Sequence, residues 1–156
     1  MKAILLKNIY QVLSYNKWAN QRLIGNINKI ADEDYYKAHP APFENIHGIL
    51  LHLYHYETKF YQKLTTQVHT SVEMKLPRAE LAEQVILSSS RWLHWIEQLM
   101  QSSRLPKFFA EAAKNVHDLA AHNNYHRGQI NTLASIGKAE PESLDVFLYN
   151  DCVSKI

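Results

Sequence analysis

Apolar residues recur three and four positions apart along four long stretches of the chain, the period of helices that bury one face. From Ile4 to Ile30 the stripe runs through Leu5, Ile9, Val12, Ala19, Leu23, Ile27 and Ile30, with polar Asn16 set into it. Residues 31–44 lose the period and carry Pro40 and Pro42, so a loop is predicted there, with Asn45 as the N-cap of the next helix. That helix is predicted from about Ile46 to Leu64, with Ile46, Ile49, Leu50, Leu53, Tyr56, Phe60 and Leu64 on one side. Residues 65–77 read as a second loop. A third helix starts near Arg78 and carries Leu81, Val85, Trp92, Trp95, Ile96 and Leu99 before a break at Ser103 to Pro106. The fourth begins after Pro106 and ends at Gly137, read as a left-handed residue just past the last turn, with Pro141 beyond it. Residues 143–150 form a short closing segment.

Four glycines are too few for the closely spaced turns of a strand-rich fold, and the predicted class is all-α. With 156 residues there is room for one core, so 1–156 is expected to be a single domain. A hydrophobic share of 46% and a charged share of 21% exclude long disorder and fibrous repeats. Seventeen basic against fifteen acidic residues give a net +2, with no dense cationic stripe, so neither nucleic acid nor a membrane surface is expected as partner. The single cysteine, Cys152, cannot close an internal disulfide and fits a reducing compartment. The apolar start Ala3-Ile4-Leu5-Leu6 is stopped by Lys7 and Asn8, too short for a signal core or a membrane span. A cytoplasmic location is expected.

Nine histidines carry the candidate chemistry. His122 and His126 are four apart on the fourth helix, one turn above each other, on the flank of the stripe Val116, Leu119, Ile130 and Leu133, while His117 points away. On the second helix His52 flanks the apolar face beside Ile49 and Tyr56, whereas His47 and His55 point away. Three inward imidazoles on two helices could hold one divalent ion and leave a coordination position open. The competing reading of such a pair is helix surface or interior hydrogen bonding. His122-Asn123-Asn124-Tyr125-His126 has no internal Glu, so the zinc-protease pattern is absent. Trp18, Trp92 and Trp95 read as core, and Glu57 and Glu111 as solvated helix faces rather than general bases. No Gly-rich phosphate loop, serine elbow or nucleophilic cysteine motif is present.

The run Asn45 to Leu53, followed by Glu57 and Leu64, and the run His117 to Ile130 resemble the DinB-like superfamily. The second is the more specific, since members typically carry His-x-x-x-His-Arg-Gly-Gln on the last long helix, here His126-Arg127-Gly128-Gln129 after His122. Tyr15-Asn16-Lys17-Trp18-Ala19-Asn20 is similar to the family's opening motif, and Asp145 matches a common acidic position. Phe60 stands where many members have Trp, and the connection around Ser102 to Lys107 is shorter than the family's usual one.

The resemblance implies an up-down-down-up four-helix bundle and a metal held by His52, His122 and His126. The expectation is one divalent ion per chain, zinc or nickel foremost and manganese or iron next, in a homodimer. Characterised members include mycothiol-dependent maleylpyruvate isomerase and bacillithiol S-transferases, which implies a metal-dependent enzyme acting on a low-molecular-weight thiol and a small electrophile. A metal-dependent hydrolase and a non-catalytic metal-binding stress-response bundle remain alternatives. Arg127 and Gln129 are assigned supporting roles in helix or ligand orientation.

Overall fold

The computed structural model describes residues 2–40, 43–65, 75–103, 107, 109–137 and 139–154. Among these it forms six helices and no strand: α1 (Lys2–Ile27), α2 (Asp32–Tyr35), α3 (Ile46–Thr65), α4 (Arg78–Gln101), α5 (Phe109–Ile136) and α6 (Val146–Val153). Helix α1 packs on α4 and α5, α3 packs on the same two, and α6 touches α1. No helix among the described residues is long and apolar enough to cross a membrane.

Local chemistry sets the ends. Asn45 caps α3 as the sequence suggests, its Oδ1 accepting from Gly48 N at 2.8 Å. Asp145 caps α6 by accepting from Phe147 N. Three acidic residues in the first turn of α2 sit at the favourable end of its dipole, and buried Tyr35 anchors it. This short helix lies inside the stretch predicted as loop, and α1 stops at Ile27 rather than Ile30, although Ile30 is still buried. Gly137 ends α5, but no described glycine has positive φ, so its predicted left-handed role does not hold. Space explains it: a Cβ there would lie 3.1 Å from Asp34 Cβ, where α2 passes close. The predicted short connection between the third and fourth helices lies largely outside the described residues.

The buried core falls into two apolar clusters. One gathers Leu23, Ile27, Leu50, Leu53, Leu81, Val85 and Ile130, and the other Ile9, Leu13, Trp92, Ile96, Val116 and Leu119. Buried polar residues on each long helix fall in sequence between members of the two clusters: Asn16 and Asn20 on α1, Glu57 on α3, Ser88 and Ser89 on α4, Asn123 and Arg127 on α5, while Asn26 and Asn115 lie within one cluster each. A polar layer thus divides the core. Trp92 and Trp95 are core, as expected; Trp18 instead is half-buried against Tyr15 and Tyr149, with ring centroids 6.1 and 5.5 Å away.

Candidate metal centre

His52 on α3 and His122 and His126 on α5 come together, with one ring nitrogen of each within 4.8 Å of the others. His52 Nε2 lies 3.0 Å from His122 Nε2. Two ligands of a tetrahedral zinc at about 2.05 Å stand roughly 3.3 Å apart, so this pair is spaced for one ion. Aromatic rings wall the group. Phe43 stacks on His52 (4.3 Å, 24°) and Tyr56 on His122 (3.5 Å, 11°), with Phe60 stacked in turn on Tyr56 (4.6 Å). Phe43 is delivered by the turn into α3, where Glu44 adopts a left-handed φ of 62° and His39 N donates to Glu44 O at 2.6 Å. That turn packs so closely on α3 that a side chain at Gly48 would collide with the Phe43 carbonyl oxygen.

The environment of His52 and His122 favours the neutral imidazole, the form that ligates. Burial, then His126, His122 and His55, push His52 down to about 4. His122 is also held below the usual histidine range, chiefly by burial. His126 has its Nδ1 2.7 Å from Gln129 Oε1, and Gln129 Nε2 donates to Tyr125 Oη at 3.1 Å. With its amide nitrogen so engaged, Gln129 accepts from an Nδ1–H, which leaves the His126 Nε2 lone pair available. The donor set, three imidazoles of which His122 and His126 each hold Nδ1 beside an amide oxygen, fits a divalent ion.

Proton binding gives an expected outcome for the metal-free protein. Above pH ~6.5 His52 and His122 are neutral folded and unfolded. As pH falls from there toward 4, the unfolded chain takes up protons that folded His52 and His122 resist, so stability drops. Buried Glu57, with its pKa raised by burial, works in the opposite sense over part of this window. Urea midpoints of wild type and His52→Asn from neutral to mildly acid pH isolate the histidine contribution. The wild type should lose more stability than the variant; parallel curves would contradict a His52 held neutral by its surroundings.

Glu57 departs furthest from expectation. Far from a solvated face, it is 1% exposed. Its Oε1 accepts from Asn16 Nδ2 (2.9 Å), Asn20 Nδ2 (3.1 Å) and Asn123 Nδ2 (2.6 Å). Arg127 Nη1 donates to the Oδ1 atoms of the same Asn16 and Asn20, at 2.7 and 2.8 Å. Two asparagine amides therefore bridge a carboxylate and a guanidinium, their dipoles aligned with the field between them. Burial pushes the Glu57 carboxyl up, against hydrogen bonds from Asn16 and Ser88, the charge of Arg127 and Asn20. Sequence reading caught only Asn16 in the apolar stripe and a supporting role for Arg127, and missed the rest of this network. The available signal was polar residues standing at core-facing positions on three helices.

The other singled-out residues sort plainly. His117 is exposed, and so is Glu111, which pairs with Lys63 at 3.7 Å. His47 is half-buried, its Nδ1 3.2 Å from Tyr35 Oη. His55, expected to point away, is half-buried with its Nε2 enclosed.

Fold and site together define an all-helical protein with a three-histidine candidate metal centre. The family model of the DinB family matches residues 4–153, and the chain belongs to that family. No curated protein matches it.

Proposed function

We propose that this DinB-family protein is a divalent-metal-dependent enzyme that transfers a small thiol to an electrophile, with His52, His122 and His126 holding one ion per chain. Zinc or nickel suits neutral imidazole best, with manganese or iron next. The convergence of three imidazoles behind aromatic walls carries this reading. An ion held there supplies Lewis acidity that lowers the pKa of a thiol or a water near neutral pH. The chain's own residues do the rest. Gln129 keeps the His126 hydrogen on Nδ1, and Phe43 and Tyr56 exclude water from the flanks of His52 and His122. The single cysteine, Cys152, is exposed on α6, so a nucleophile supplied from solution accounts better for activity than a protein thiol.

The reading includes an up-down-down-up course for the four long helices. Lys2 reaching the carbonyls of Ser102 and Ser103 and Arg78 reaching that of Ile27 support opposite directions for α1 and α4. The Asn16–Asn123 and Asn20–Arg127 bonds support the same direction for α1 and α5, and His52–His122 with Lys63–Glu111 opposite directions for α3 and α5. It also includes one domain over 1–156, a cytoplasmic location and a homodimer, for which exposed Val146, Phe147 and Val153 of α6 offer an apolar face.

Incubating metal-loaded protein with an electrophile panel, with and without bacillithiol, mycothiol, glutathione or cysteine, tests the activity. Turnover should require both metal and thiol. Metal-dependent turnover indifferent to thiol would replace transfer with hydrolysis, and no turnover at all would leave a binding protein.

A further inference from the structure

Asn123 is fully buried, and both ends of its amide are engaged. Its Nδ2 donates to Glu57 Oε1 at 2.6 Å and to Asn16 Oδ1 at 3.1 Å, while its Oδ1 lies 3.4 Å from His122 Nδ1. Turning the amide over would set its oxygen against two acceptors in a dry interior, one of them a carboxylate oxygen. Glu57 therefore fixes which end of Asn123 faces His122. An amide oxygen at that place demands the imidazole hydrogen on Nδ1, which leaves the lone pair on Nε2, the atom 3.0 Å from His52 Nε2. His126 is set in the same way by Gln129, but that amide leans on exposed Tyr125, whereas Glu57 is held by three asparagines in the core.

We propose that Glu57 is a positioning residue for the metal centre: acting through Asn123, it holds His122 in the tautomer whose Nε2 lone pair is turned toward His52 and His126. This rests on the three-histidine reading and adds how one ligand is prepared for the ion. It also gives the buried Glu57–Arg127 network a role beyond stability. The amides that bridge its charges are continuous with the amide that faces a ligand.

The test is the tautomer of His122 in metal-free, nitrogen-15-labelled protein at about pH 7.5, above the ordinary histidine range. Long-range proton–nitrogen correlation separates the Nδ1–H and Nε2–H forms, and the His122 signals are assigned by their absence from His122→Gln. The wild type is expected to be Nδ1–H. In Asn123→Leu the acceptor is gone, and in Glu57→Gln the new carboxamide can donate to a reversed Asn123. Both variants should move His122 toward Nε2–H, and zinc affinity, read by competition with a chromophoric chelator, should fall about 10–100-fold. Glu57→Gln preserves side-chain volume and decides the matter alone if Asn123→Leu does not fold. An Nε2–H wild type, or a tautomer unmoved in the folded variants, overturns the proposal. Absence of zinc binding by the wild type would instead sink the metal reading, and the tautomer result would still uphold or overturn the role of Glu57.

Discussion

Glu57→Ala should lower the unfolding free energy by about 3–5 kcal/mol, the usual cost of breaking a buried charge pair from one side. Arg127 is 1% exposed, and burial pushes its pKa down against the opposing influence of Tyr15 and Glu57. With the carboxylate removed, the guanidinium stays charged in the core, and the Nδ2 groups of Asn16, Asn20 and Asn123 lose their common acceptor. Glu57→Gln keeps the volume and one acceptor oxygen, so its loss should be smaller, about 1–3 kcal/mol. Replacing Glu57 and Arg127 together by leucine should recover part of the Glu57→Ala loss, because no lone charge remains. Urea unfolding with unchanged m-value is the measurement. A Glu57→Ala loss below about 1 kcal/mol would show that water reaches this layer.

The other large effect concerns the ion. Structural zinc sites bind with about 10–16 kcal/mol over roughly four ligands, or about 3–4 kcal/mol each. His52→Ala, His122→Ala and His126→Ala should therefore each weaken zinc binding by about two to three orders of magnitude. His117→Ala and His94→Ala remove exposed imidazoles and should leave affinity unchanged. His55 is a poorer control than its place on the helical wheel suggests, because its Nε2 is enclosed. Equal losses in controls and triad would disperse the site over the surface.

The long helices and the grouping of three histidines were legible because both depend on helical period alone. Ile46 and Arg78 start α3 and α4 where capping and the stripe place them. His122 and His126 share a face by spacing, and His52 meets them because it flanks the face that α3 turns to α5. Glu57 was not legible, since a lone helical Glu is ordinarily solvated and its burial depends on amides and a guanidinium from α1 and α5, far away in sequence. Phe43 was hidden for a related reason: it lies in an aperiodic loop, and its stacking on His52 follows from the turn at Glu44. Gly137 was misread because a glycine after a helix usually supplies a left-handed residue, and here it makes room for Asp34.

X-ray absorption at the zinc edge of loaded wild-type protein tests the three-histidine centre most directly. One ion per chain with three imidazole nitrogens at about 2.0–2.1 Å, falling to two in His122→Ala, is the expected result. Sulfur in the coordination sphere, or a spectrum unchanged by His122→Ala, would contradict it.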